Sequence, residues 1–302
     1  MRVTNTIITR TSQLRLQQGL QGIDRVRDDI ATGIRIRRMS DDATSGGELV
    51  RIGSSMRALN QFRRNAQMGF ARATAEETVL GQFSDTLTRA AELGVTAANG
   101  TTDNSTRQVI KAEIDQLLDL SARLGNTRFG DEYLFGGTRS TEKLFTEPPP
   151  ATGSFSALLL AGNPVDPSGN TTLEIGDKKF VTPNHNGTQV FLDTDSLAAL
   201  REMSDAIGAN DVPRITAATQ RLRNAHSSVQ ALIGTQGARI NEMEDALVNI
   251  ENTEFDLKTF RSDLRDTEVD KAMVELVGKQ TLYQAAMSAT SRILGLSLAN
   301  YL

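Results

Sequence analysis

The chain has 302 residues and a net charge of −4; 38% of its side chains are apolar, 5% are aromatic, and none is tryptophan or cysteine. The missing cysteines exclude disulfides, thiolate metal sites and cysteine nucleophiles, and they suit a chain that crosses a membrane unfolded. So few aromatics argue against one large aromatic core and point to a mainly helical protein with narrow apolar seams.

The opening residues, Met1 to Arg10, lack the apolar run of a secretory signal peptide, so export by a cleaved signal is not expected. A first helix is predicted from Asn5 to Ala31, with Leu16, Leu20, Ile23 and Ile30 on one seam and Arg27 interrupting it. Gly19 and Gly22 each weaken that helix by about 1 kcal/mol, so it needs a partner. Residues 1–40 hold eight arginines against three aspartates, a balance of +5, and residues 240–302 hold six basic and eleven acidic side chains, a balance of −5. Two end helices of opposite charge are therefore expected to pair. An arginine-rich helical nucleic-acid-binding protein is the distant alternative.

Thr32-Gly33 breaks the helix, Ile34-Arg35-Ile36 alternates like a short extended link, and Ser40-Asp41-Asp42 offers cap oxygens for the next helix. From Leu49 to Ala97 a long rod follows, with Ile52, Met56, Leu59, Ala66, Phe70, Ala73, Leu80, Leu87 and Ala91 at alternating steps of three and four. After Asn99-Gly100 a return helix runs from Asp103 to Leu124 on Ile110, Ile114, Leu117 and Leu124, with Gly125 placed to terminate it.

Proline then sets the boundary of a different region: six of the seven prolines lie between Pro148 and Pro183. Tyr133-Leu134-Phe135-Gly136-Gly137 reads as a strand entering a turn, and Pro148-Pro149-Pro150 as a stiff linker. The uncharged stretch Pro148 to Val165 is broken by proline and glycine, so it does not span a bilayer. Apolar runs at Thr172–Ile175, Phe180-Val181 and Gln189–Leu192, separated by Gly176-Asp177 and Asn186-Gly187, predict hairpins and a small β-rich domain over 141–195.

Ser196 is placed to cap a helix carrying Leu197, Leu200, Met203 and Ile207. Asp211-Val212-Pro213 starts a last rod with Leu222, Val229, Leu232, Ile240, Met243, Leu247 and Ile250 on its seam. The terminal segment carries a seam of Val269, Met273, Leu276, Tyr283, Met287 and Leu294. A second apolar stripe of Leu282, Ala286, Ala289, Ile293 and Leu296 lies roughly 120° round from it. One face can meet the N-terminal helix while the other awaits a neighbouring subunit.

Only two histidines are present, His185 in a polar turn and His226 on the wet side of a rod, so no metal-ligand cluster is expected. Gly46-Gly47 and Gly136-Gly137 lack the lysine and spacing of a phosphate loop. No catalytic constellation emerges, and neither an enzyme nor a cofactor is expected.

Thr32-Gly33-Ile34-Arg35-Ile36, Ser40-Asp41-Asp42-Ala43, Arg89-Ala90-Ala91-Glu92-Leu93-Gly94-Val95 and Ala98-Asn99-Gly100-Thr101 together resemble the N-terminal part of bacterial flagellins and their relatives. Gly237-Ala238-Arg239-Ile240-Asn241, Ser262-Asp263-Leu264 and Asp270 are similar to the C-terminal part. The resemblance covers roughly 1–140 and 215–302. Within the superfamily, Met1-Arg2-Val3, Tyr133-Leu134-Phe135-Gly136-Gly137-Thr138 and the ending Leu296 to Leu302 are closer to the hook–filament junction branch of hook-associated proteins. A short flagellin is the nearest alternative. Arg37-Arg38-Met39 and Gly46-Gly47 are mild departures.

The resemblance implies a mainly α fold with a small β insert, built as long antiparallel helical rods in coiled-coil style from the N- and C-terminal segments. Its divisions would be 1–44 and 256–302 for the terminal-helix, inner-tube domain, 45–140 and 196–255 for the helical rod domain, and 141–195 for the outer β domain. It further implies a secreted flagellar protein exported by the type III apparatus without a cleaved signal. Its implied partners are other copies in a ring, another hook-associated protein on the hook side, flagellin on the filament side and a cytosolic export chaperone on the C-terminal region. Nucleic acid and membrane insertion have no place in it.

Overall fold

A computed structural model describes residues 2–145 and 169–299, with the side chains of Ile7 and of residues 10–145 and 169–292. The proline linker 148–150, the uncharged stretch to Val165 and the side chains of Ile293, Leu294 and Leu296 lie outside the described residues. In chain order the elements are α1 (Arg2–Thr32), α2 (Ala43–Ala98), α3 (Asn104–Gly125), β1 (Arg128–Phe129), β2 (Glu132–Tyr133), β3 (Leu173–Gly176), β4 (Lys179–Val181), a π-helical turn (Thr188–Leu192), α4 (Ser196–Gly208), α5 (Val212–Arg265) and α6 (Val269–Ala299). The chain is mainly α with a small β insert, and it divides into two compact units: 58–252, and the chain ends up to 57 and from 253.

The central unit is a bundle of antiparallel rods. Arg107 Nε donates to the Ala97 carbonyl at 3.0 Å and Arg89 pairs with Glu113 at 2.7 Å, so α3 folds back along α2. Asp103 starts α3 by accepting from Thr106 N, satisfying one of the amides a helix start leaves open. α5 also runs antiparallel to α2: Gln236 Nε2 donates to the Ala73 carbonyl and Gln230 Nε2 to Ser84 Oγ. The predicted seams lie on the inner faces, where Ala66, Ala73, Leu80, Leu87, Leu222, Val229 and Met243 are buried.

Aromatic side chains are few, but four of them converge. Phe191 sits 5.0 Å from Phe83, 5.3 Å from Phe135 and 5.2 Å from Phe145, the last two edge-to-face. Phe135 comes from the Tyr133–Gly137 segment, and Phe145 is fixed by Asn126, whose Oδ1 accepts from the amides of Leu144 and Phe145 at 3.1 and 2.9 Å. Residues 144–145 and 190–191 thus share a core with the rods. The β3–β4 hairpin, with Leu173 opposite Val181, covers a smaller cluster of Ala66, Ala73, Met243 and Ala246.

Four local expectations change. Gln189–Leu192 is helical, not a strand: a strand sends successive side chains to opposite faces, whereas both Val190 and Phe191 are buried in the core. Asn186-Gly187 is therefore no hairpin turn; Asn186 Oδ1 accepts from Gln189 N at 2.9 Å and caps that turn. Gly125 is the last helical residue rather than a left-handed terminator, and Asn126 is the C-cap. Its lack of a side chain matters because a Cβ there would collide with the Phe145 ring. Ser196 is the first helical residue; Asp195 takes the cap position in the left-handed conformation, at φ 58°.

His185 is the largest departure. It is buried rather than on a polar surface, with Nδ1 2.7 Å from Glu76 Oε1, and its backbone amide donates to both Glu76 oxygens at 3.1 and 3.0 Å. Nε2 lies 3.2 Å from Thr235 Oγ1, whose hydroxyl is already donated to the Leu232 carbonyl at 2.8 Å. Burial pushes the Glu76 carboxyl upward, and the His185 hydrogen bonds oppose that rise. The pair ties the 182–187 segment to α2 and α5.

Candidate assembly surface

The terminal unit is built around α1 and α6, which pack against each other. Between α1 and α2 the chain turns at Gly33, whose φ of 70° favours glycine. Ile34 then forms an antiparallel bridge with Asp266. Arg35 N and Ile36 N donate to the Arg265 carbonyl at 2.8 and 3.3 Å, and Thr267 N returns a bond to the Gly33 carbonyl at 2.9 Å. The predicted extended link is the strap joining the two chain ends.

The two adjacent aspartates do different work. Asp42 accepts from the amides of Thr44 and Ser45 and from the Ser45 hydroxyl at 2.7 Å, capping α2. Asp41 accepts from the amides of Arg37 and Arg38 at 3.1 and 3.0 Å and so fixes the loop instead. Both carboxyls are held below the ordinary range by these bonds, Asp42 chiefly by Ser45 and Asp41 chiefly by the Arg38 amide.

The charge pairing expected between the end helices is not seen in the described residues. Among the described residues no ion pair bridges α1 and α6. The N-terminal arginines meet local aspartates: Arg25 with Asp41, Arg35 with Asp42, and Arg37 with Asp28 and Asp29. The contact is made by small and apolar side chains. Ile23 and Val26 are buried on α1, Leu16 and Ile30 are half-buried, and Ala272 is buried on α6. A Cβ at Gly19 would stand 3.3 Å from Tyr283 and one at Gly22 3.7 Å from Lys279, so the glycines that weaken α1 also let α6 approach.

This places α1 against Ala272, Leu276, Lys279 and Tyr283, a row about 45° from the first predicted stripe and about 90° from the second, at 100° per residue. Leu276 and Tyr283 are half-buried, whereas Val269, Met273 and Met287 of the same predicted seam are half-exposed on its flank. Leu20 of α1 is likewise exposed. On the other flank Leu282 is 71% exposed, and Ala286 and Ala289 are exposed. α1 therefore covers part of the first predicted seam, at Leu276 and Tyr283, and leaves Val269, Met273 and Met287 on one flank and Leu282, Ala286 and Ala289 on the other exposed. Val26, Ala272 and Lys279 join the contact without lying on the predicted seams; the available signal was the pair Gly19 and Gly22 on the turn beside Ile23.

Among the described residues no group of three histidines or carboxylates could hold a metal ion, and no helix is long and apolar enough to cross a membrane.

Residues 3–140 match the bacterial flagellin N-terminal helical region and residues 213–302 the C-terminal helical region, so the two parts of one family together take in most of the chain. The flagellar hook-associated protein 3 of Escherichia coli strain K12 is 24% identical over 314 residues, covering 95% of this chain and 98% of its own. The flagellar filament 33 kDa core protein of Treponema phagedenis is 25% identical over 281 residues, covering 89% and 90%. In fold, the chain is similar to a putative flagellar hook-associated protein of Vibrio parahaemolyticus, with a TM-score of 0.63 at 16% identity over 75% of this chain and 100% of that one. With both ends matched, and with those ends paired as helices, the chain belongs to the bacterial flagellin family.

Proposed function

We propose that this protein is a structural, non-enzymatic axial component of the flagellum that joins hook to filament. The observation that carries the reading is its near end-to-end likeness to a hook-associated protein 3, at 95% of one chain and 98% of the other. The Tyr133–Thr138 motif supports it: Leu134 and Phe135 are buried and anchor the excursion from the rods into their shared core.

On this reading the terminal helices are the working parts. The rows of Val269, Met273 and Met287 and of Leu282, Ala286 and Ala289 pack against neighbouring copies in a ring, against a hook-associated protein below and against flagellin above. Leu294, Ile293 and Leu296 continue those rows in sequence. Before export the same apolar rows are what a cytosolic chaperone would cover, and the chain leaves through the flagellar type III apparatus without a cleaved signal. Electron microscopy of a strain lacking the protein tests this. Hooks without filaments, with flagellin shed as monomer, are expected; attached filaments of normal length would overturn it.

A second reading, a short flagellin, is favoured by the 25% identity to a filament core protein over 89% of the chain. It requires the purified chain to polymerise into long tubes by itself, which a junction protein does not do.

A further inference from the structure

The terminal unit contains a groove of about 360 Å³ with an apolar floor and a cationic rim. Its floor is Ile36, Met39, Leu49 and Val50, and its rim carries Arg37, Arg38, Arg57, Arg261 and Arg265, with no acidic residue among its lining. Gly46 and Gly53 lie along the same face of α2, and a Cβ at Gly46 would stand 3.2 Å from the Met39 backbone, so this glycine lets Met39 lie against the helix. Arg37 and Arg265 are engaged by Asp28, Asp29 and Asp266. Arg38, Arg57 and Arg261 make no ion pair among the described residues, and Arg261 only donates to Met56 Sδ at 3.7 Å. A surface holding three cations around the exposed Met39 and Val50 is shaped for an acidic, apolar partner.

Such a partner is present in the chain itself. On α5, Glu244, Val248, Glu251 and Phe255 fall at spacings of four, three and four and so share one helical face, with Asp245 beside them. Val248 is 57% and Phe255 69% exposed, large apolar groups that the fold leaves in water. Glu244, Asp245 and Glu251 are exposed and make no ion pair among the described residues. The stripe from Glu244 to Phe255 is about 16 Å long, and the groove face from Gly46 to Arg57 has the same length at 1.5 Å per residue.

We propose that the arginine-rimmed groove receives the Val248–Phe255 face of α5 from a second copy of this chain. Phe255 enters the apolar floor, and Glu244 and Glu251 meet Arg57 and Arg38. The contact is heterologous, groove to stripe, so it propagates from copy to copy and closes a ring when the rotation allows. It deepens the proposed function, because it names a lateral contact for the assembly that function requires.

The absence of cysteine makes the test clean. Ser54→Cys and Asn252→Cys, both exposed and beside the two surfaces rather than in them, are placed in one full-length chain and expressed in the deletion strain. Assembled flagella are treated with a short bis-maleimide. A homodimer and its ladder are expected, absent from either single variant. Adding Arg57→Glu should lower the dimer yield about tenfold or more, the scale of one lost charge pair, and Glu251→Arg on top of it should restore the yield. Flagella that retain their filaments but give no homodimer, or give adducts only to another flagellar protein, overturn the inference and leave the junction reading standing. If the deletion strain carries attached filaments, the junction reading itself has failed.

Discussion

The two units of this molecule treat apolar side chains in opposite ways. In the central unit Phe83, Phe135, Phe145 and Phe191 are enclosed and the rod seams around them are buried. In the terminal unit the buried apolar set is small, with Ile23, Val26, Ile36, Ile52 and Ala272, while Val274, Val277, Leu282 and Met287 face water on α6. Burial of apolar area is the main source of folding free energy, about 25 cal/mol per Å². The central unit therefore has the larger share of this stabilisation, and the terminal unit leaves large apolar side chains of α6 exposed. On the proposed function, the difference separates a scaffold from a connector within one polypeptide.

The strongest way to break that contrast is to empty the central core. Phe191→Ala removes the ring that three other phenyl groups pack on, and it should cost about 3–5 kcal/mol. Thermal unfolding followed by circular dichroism should show a large fall in the main transition. An unchanged midpoint would mean that the central unit is not held by this cluster. His185→Ala comes next, leaving the Glu76 carboxyl buried without its partner; loss of one member of a buried pair costs about 3–5 kcal/mol. His185→Gln, which can still donate to Glu76, should recover part of the loss.

The sequence makes the rods legible because a helical seam is a local, periodic signal. Ala66, Ala73, Leu80 and Leu87 fall where period and burial agree, and Asp103 announces the start of α3 two residues from its Ser105 and three from its Thr106 partner. The Glu76–His185 pair is not legible, since its members stand 109 residues apart and each has an ordinary polar setting in sequence. The face of α6 that meets α1 is legible only in part: Leu276 and Tyr283 lie on the predicted seam, but the contact also uses Gly19, Gly22 and Ala272, which carry almost no hydrophobic signal. The π-helical turn at Thr188–Leu192 is set by the core that surrounds it, so a run of apolar residues alone reads as strand.

On the other side of the contrast, Leu282→Asp sharpens it. This side chain is exposed, so the change should move the stability of the isolated chain by no more than about 0.5 kcal/mol. If the α6 flank is an assembly surface, incorporation into flagella should nevertheless be lost. Normal filament attachment with this variant would remove the flank from the assembly proposal. Limited proteolysis supplies the complementary measurement: the ends should be cut first, leaving a resistant centre near 45–255, and uniform resistance would erase the distinction between the units.

The smallest effect expected is at the start of α3. Asp103 Oδ1 accepts from the Thr106 amide at 2.9 Å and Oδ2 from the Ser105 hydroxyl at 2.8 Å. Hydrogen bonding from Thr106, then from Ser105, lowers its carboxyl from 3.8 to about 2. A depressed folded-state value means that the ionised cap stabilises the fold fully above pH 3.8 and loses that contribution as pH falls through about 2. Asp103→Ala should lower the central transition slightly at neutral pH, with the gap to wild type closing as acid is added. Asp103→Asn keeps an acceptor for the amide but has no charge to lose, so its cap should show no such pH dependence. A gap for Asp103→Ala of the same size at both pH extremes would assign the cap to hydrogen-bond geometry alone. The change should be confined to the central transition, because α3 lies within the central unit, and an equal loss of assembly would mean that the two units are not separable.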